Sequence, residues 1–338
     1  MGEPPKVVGG VYEVGIGVTD LDAAARYWAH FGYAPGPRGR LAPRQANALF
    51  GVDSGLESLH LNHQDADHGL VRLMRWDAPR GPGLGMVALR TPGNRWGVSK
   101  TKEVMQVANF AAALKAGGAA METIGPVFHP VPDAAGVQDP HAAEVRCKRE
   151  FVFFQPESRH VLVQRYAHDL PDFGTYAEAS RFRASQFTQV GLCVAERDAG
   201  ALDFYADVLG LHRHDVDYVA KQGSMPARVV PLDDGELLRE SDFDDVRPGD
   251  PPEMQRSGKL RVFRITGKTD GTNVVDQSRP GHLGFSLYTY RVTEIAAMRD
   301  KVAANGAHEV TEIAPDEFGT PAFSFVAPDG YFWTFVAA

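Results

Sequence analysis

The chain has 338 residues, of which 43% are apolar and 23% charged, with a formal net charge of −8 and two cysteines. This composition builds a full core and argues against a disordered chain, and the acidic balance without a basic run argues against phosphate-driven nucleic-acid binding. Cys147 and Cys193 stand too far apart for a zinc knuckle or a disulfide framework, no apolar run approaches the roughly 20 residues that span a bilayer, and Met-Gly-Glu-Pro-Pro-Lys has no apolar signal core, so a cytoplasmic protein is expected.

Taken in order, residues 11–20 read as a strand and 21–31 as a helix that Asp20 or Asp22 can cap. Residues 69–76 alternate as a closing strand after a polar turn. Residues 83–89 restart as a strand, 103–116 form a helix that stops at Gly117-Gly118, and 119–124, 151–154 and 161–164 supply further strands. Residues 166–186, with Pro171 and Gly174, carry no period and read as a link. From Phe187 the first pattern returns, with a strand, a helix over 199–209 and a closing strand over 260–265. The acid- and proline-rich stretch 233–253 reads as a solvated loop, because its acids lack the Gly-centred spacing of a calcium loop. The last unit is the clearest: an alternating strand from His282 to Tyr288, a helix over 292–304 ending at Asn305-Gly306, and strands over 308–313, 321–326 and 331–336.

These units repeat. Tyr12-Glu13-Val14-Gly15-Ile16 lines up with Thr188-Gln189-Val190-Gly191-Leu192, and Gly69, Arg72 and Arg75 fall at the spacing of Gly258, Arg261 and Arg264. The second and fourth units match in the same way. The expected fold is α+β, with four βαβββ modules paired into two domains. Residues 1–165 form the first pair, 166–186 the linker and 187–338 the second pair, each pair a curved mixed sheet around a cup with its helices outside.

The strand, helix and three-strand order, openings such as Gln189 to Val194 and closings such as Ala327 to Phe335 resemble the vicinal oxygen chelate superfamily. That group includes glyoxalase I, bleomycin-resistance proteins and the extradiol dioxygenases, and four units in one chain are most similar to the dioxygenases. The resemblance implies a cup in which first-strand His residues and a last-strand Glu hold a metal. The corresponding positions of the C-terminal cup are Gln189, His282 and Thr334, of which only His282 fits the dioxygenase set. Gln189 with His282 fits the glyoxalase I pair, but its two Glu positions fall near Val262 and Thr334. In the N-terminal cup the positions are Glu13, Leu73, Leu84 and Val163, so that half is expected to be structural or to hold a partner surface.

No metal is therefore expected. The leading expectation is a lyase- or isomerase-type enzyme that moves a proton on a small oxygenated or aromatic compound, with His282 and Tyr288 catalytic. Gln189, Ser286, Thr334 and Arg264 are expected to bind the substrate, Arg264 because an inward Arg suits a carboxylate. For His282, a residue hydrogen-bonded within the core is an equally open reading. One alternative is a dioxygenase with iron or manganese on a rearranged set that recruits Glu317 or a loop histidine. Another is a binder that sequesters an aromatic ligand. His60, His63 and His68 lack ligand spacing, and His141 with Glu144 lacks the second His of a zinc helix. The expected partner is a small molecule, with no nucleic acid or membrane, in a monomer or homodimer.

Overall fold

The computed structural model describes residues 4–131, 146–170, 172–219, 228–233, 235–245, 256–266 and 272–338. The first module runs β1 (Val7–Gly17), α1 (Leu21–Ala29), β2 (Ala34–Leu41), α2 (Pro43–Phe50), β3 (Leu56–Asn62) and β4 (Leu70–Trp76). The second has β5 (Arg95–Thr101), α3 (Val104–Ala116), β6 (Glu122–Pro130), β7 (Cys147–Gln155) and β8 (Ser158–Tyr166). The third has β9 (Ala184–Val194), β10 (His212–Val219), β11 (Leu237–Asp244) and β12 (Lys259–Thr266). The fourth has β13 (Gly284–Val292), α4 (Ile295–Ala304), β14 (Ala314–Pro315), β15 (Pro321–Val326) and β16 (Phe332–Ala337).

The strands form two eight-stranded sheets, in the orders β14-β15-β16-β13-β1-β4-β3-β2 and β10-β11-β12-β9-β5-β8-β7-β6. The first module thus pairs with the fourth and the second with the third, which corrects the expected pairing within residues 1–165 and within 187–338. The register is antiparallel in both seams, Glu13 opposite Thr289 and Val98 opposite Gln189. Residues 77–94 explain the difference: they carry the chain away from the first sheet, so β5 starts a second one and β1 keeps an open edge that only β13 fills. We call the sheet of modules one and four the outer cup and that of modules two and three the inner cup.

Alternation along the strands divides the side chains between two surfaces. Val14, Ile16, Leu73, Phe153, Leu162, Leu192, Val262 and Tyr288 share one core with Trp28 of α1, Val107 of α3 and Met298 of α4. The opposite, concave surfaces carry separate apolar clusters. Between the sheets, the Tyr288 hydroxyl lies 2.9 and 2.8 Å from the carbonyl oxygens of Trp96 and Gly191, and that of Tyr331 2.9 and 2.7 Å from those of Asn94 and Cys193, each with one proton to donate between its two acceptors. Buried hydroxyls are costly unless bonded, and here they tie the last module to the inner seam. Helix α1 starts at Asp20, whose Oδ1 accepts from the backbone N–H of Asp22 and Ala23 at 2.8 and 2.9 Å. Among the described residues no helix is long and apolar enough to cross a membrane.

Four expected elements differ. Residues 83–89 are a turn rather than a strand, because a Cβ on Gly83 would stand 1.9 Å from the Leu283 carbonyl oxygen and the backbone there has φ +67°. The helix expected over 199–209 is a 3-10 turn, Glu196–Leu202, followed by a π turn, Phe204–Val208; Gly200 weakens it and no side chain caps its start. Residues 308–313 form no strand, meeting β15 through the bridge of His308 to Val326 and the Thr311 N–H donated to the Ser324 carbonyl. The acid-rich stretch 233–253 holds the whole of β11, with Ser241 and Asp242 buried; its residues 246–253, like His141 and Glu144, lie outside the described residues.

Candidate ligand site in the inner cup

The concave face of the inner cup surrounds a cavity of about 420 Å³. Strands β5, β8, β7, β9, β12 and β11 contribute every second side chain to it: Trp96, Val98 and Lys100; Val161, Val163 and Arg165; Lys148 and Glu150; Gln189; Arg261 and Phe263; Leu238 and Glu240. One end is apolar. Trp96 and Phe263 pack with ring centroids 4.9 Å apart, and Trp96 lies flat on β9 because residue 191 is glycine, where a Cβ would stand 1.9 Å from the indole. The space that Gly191 leaves is therefore filled by Trp96.

The other end is charged, and its ions are matched across neighbouring strands. Arg261 donates from Nε and Nη2 to Asp242 Oδ1 and Oδ2 at 2.7 and 2.8 Å, and its Nη1 lies 3.1 Å from Glu240 Oε1. Lys259 Nζ reaches the same Asp242 at 3.3 Å. Lys148 pairs with Glu150, whose other oxygen is 3.5 Å from His129 Nε2, and Lys100 Nζ pairs with Asp169 at 3.1 Å. Composition hid β11 for this reason: its acids are buried against cations of β12, which an isolated strand cannot show.

The two cavity carboxyls are driven apart. Burial pushes Glu240 above the ordinary carboxylate range, Arg261 opposing while Asp242 and Glu150 add to the rise. Burial would raise Glu150 too, but Lys148 and His129 overcome it and hold it at about 2. Burial also lifts the Tyr218 hydroxyl at the cavity wall to about 12, Glu240 contributing. Neither Glu240 nor Glu150 stood out in the sequence. Both sit on strands whose facing depends on a register that becomes fixed only on pairing.

Of the expected site residues, only Gln189 lines this cavity. His282 precedes β13 rather than lying on it, bridging to Gly81 with its Nδ1 3.2 Å from the Arg279 carbonyl oxygen. Gln189 and His282 therefore belong to different sheets and do not form a pair. Tyr288 holds the seam between the sheets, Ser286 lies 3.5 Å from the Gly15 carbonyl oxygen, and the Thr334 hydroxyl meets that of Ser324 at 2.8 Å. Arg264 points to the helix-side surface of β12, 3.4 Å from Ser241 Oγ. The expected cup facing of Val262 and Leu73 was one residue out of register. Arg261 and Arg72 are the residues that face the cups, and such a slip reverses every side chain.

In the outer cup Glu13 and Arg72 form a buried pair, with Arg72 3.3 Å from both Asp316 and Glu317 and His60 3.4 Å from Glu13. Arg72 and His60 hold the lowering of the Glu13 carboxyl against the burial that would raise it. Helix α2 packs Leu49 and Phe50 into this cup against Leu56, Trp76 and Phe332. A divalent ion does not fit either cup. The inner positions Val98 and Val163 lack donors and Arg261 is a cation, while in the outer cup Arg72 stands among the carboxylates. Among the described residues no group of three or more His, Cys, Asp or Glu could hold a metal.

Residues 187–335 match the model of the Glyoxalase/Bleomycin resistance protein/Dioxygenase superfamily. No curated protein matches the chain. Among solved structures, glyoxalase I from Zea mays superposes with a TM-score of 0.54 at 14% identity, covering 98% of this chain and 92% of that one. A candidate dioxygenase from Bacillus subtilis superposes with a TM-score of 0.55 at 13% identity, covering 98% of this chain and 86% of that one. At such identities the likeness concerns the fold. Residues 187–335 are thus similar to the glyoxalase/bleomycin resistance protein/dioxygenase superfamily, the vicinal oxygen chelate group, and the likeness of fold to glyoxalase I extends over 98% of the chain.

Proposed function

We propose that the protein is a proton-transfer enzyme of the lyase or isomerase type that works without a metal on a small, largely apolar oxygenated compound in the inner cup. The observation that carries this reading is the cavity of the inner cup, with an aromatic floor at one end and, facing it, two carboxyls of opposite tuning. Environments that push two carboxyls apart divide the roles of base and fixed charge. Glu240, the raised one, takes a proton from carbon beside a carbonyl and returns it at a neighbouring atom; a raised pKa makes its carboxylate the stronger base. Gln189 and Tyr218 offer N–H and O–H donors for the charge that gathers on the substrate oxygen. Glu150 stays ionised and keeps Lys148 fixed.

The test is hydrogen exchange at carbon. Enolisable ketones and keto acids of suitable size are incubated in D2O, and loss of their α-proton signals is followed by NMR. The native protein should catalyse exchange, and Glu240→Gln should lose about 100-fold or more of the rate while still binding the same compounds. Unchanged exchange in Glu240→Gln would remove Glu240 from the reaction. Tight binding without exchange in the native protein would favour the sequestering reading.

A further inference from the structure

The cations of the inner cavity are not all paired at contact distance. Lys100 is matched by Asp169, Lys148 by Glu150, and Arg261 by Asp242 and Glu240. Arg165, on β8 opposite Lys148, feels Asp169 and Glu150 at longer range but has no carboxylate in contact with it among the described residues. Its guanidinium lies over the Phe173 ring at 5.1 Å, and its Nη1 is buried with no hydrogen-bond partner among the described residues. A buried cationic donor without an acceptor is costly unless something supplies one, and this one borders a cavity.

We propose that the ligand of the inner cup is an apolar monocarboxylate whose carboxylate is bound by Arg165, with its hydrocarbon or aromatic body against Trp96, Val161 and Phe263. The inference deepens the proposed function and rests on the same cavity, but not on proton transfer. A guanidinium with a buried N–H group left without an acceptor calls for an anion, and its planar pair of N–H groups matches the two oxygens of a carboxylate. A phosphate dianion would bring a second negative charge near Asp169 and Glu150, which already act on Arg165. A cavity of about 420 Å³ has room for a single ring with a short acid chain. Arg165 is thus a specificity-determining residue, distant in role from Glu240.

The test compares acids with isosteric neutral amides. Phenylacetate, 3-phenylpropanoate and 4-phenylbutanoate, their primary amides and phenyl phosphate are titrated by calorimetry into native protein, Arg165→Met, Arg165→Lys and Glu240→Gln. Native protein should bind at least one acid about 10- to 100-fold more tightly than its amide. Arg165→Met should abolish that preference while leaving amide affinity unchanged, and Arg165→Lys should restore part of it. Glu240→Gln should keep the preference, which separates this inference from the reaction assigned to Glu240. Failure of every acid to bind, equal binding of acid and amide, a preference that survives Arg165→Met, or tighter binding of phenyl phosphate would each overturn the proposal.

Discussion

The two cups are built from the same module and differ in what fills them. Each has an arginine at the same point of a last strand, Arg72 in the outer cup and Arg261 in the inner, and each arginine faces carboxylates. In the outer cup, helix α2 and the segment around Glu317 close over the pair, leaving Arg72 1% exposed. In the inner cup the equivalent ions border open space. One arrangement therefore serves as internal glue in one cup and as a charged wall in the other. The difference lies in what covers the sheet rather than in the sheet itself.

That contrast predicts unequal costs. Arg72→Met should cost about 3–5 kcal/mol, since it strands Glu13 and Glu317 as buried charges; denaturant unfolding measures it. The seam between the cups comes next. His160 is buried among Trp28, Phe31, Phe153 and Phe187 with neither ring nitrogen bonded to a described residue, and burial lowers its pKa from 6.5 to about 3. Between those values the unfolded chain binds a proton that the folded one refuses, so stability falls as pH drops below 6.5. The loss by pH 5 is about 2 kcal/mol. His160→Phe should remove that share of the slope in unfolding curves taken at both pH values; an unchanged slope would show that His160 does not set it.

Arg261→Met should cost less than Arg72→Met, about 1–2 kcal/mol, because Asp242 keeps Lys259 and the cavity admits water. Equal costs for the two arginines would break the comparison between a sealed and an open cup. The smallest effect is expected at Thr334→Val, which removes one hydroxyl contact in the outer cup and should cost about 1 kcal/mol. Affinity in the inner cup should be unchanged in that variant, as calorimetry would show.

The modules, their order and their family likeness were legible because period-2 strands and the recurring glycine and arginine spacing are local. The pairing of modules was not, because it depends on where residues 77–94 lead the chain. Facing was lost at single-residue precision: Leu73 and Val262 were expected where Arg72 and Arg261 stand. His282 drew attention as a histidine beside an alternating run, yet the strand begins two residues later, at Gly284. The buried acids of β11 looked like surface, since the cations that neutralise them lie on another strand.

The pairing of the first module with the last orders events in time. A ribosome adding 5–20 residues per second takes roughly 15–50 s to go from β1 to β13. Through that interval β1 has an unpaired edge, the kind of surface on which wrong pairing starts. All the strands of the inner cup are present once residue 266 has emerged, whereas the outer sheet waits for β13 to β16. A chain stopped before residue 284 would hold all the strands of the inner cup but lack the fourth module's share of the common core.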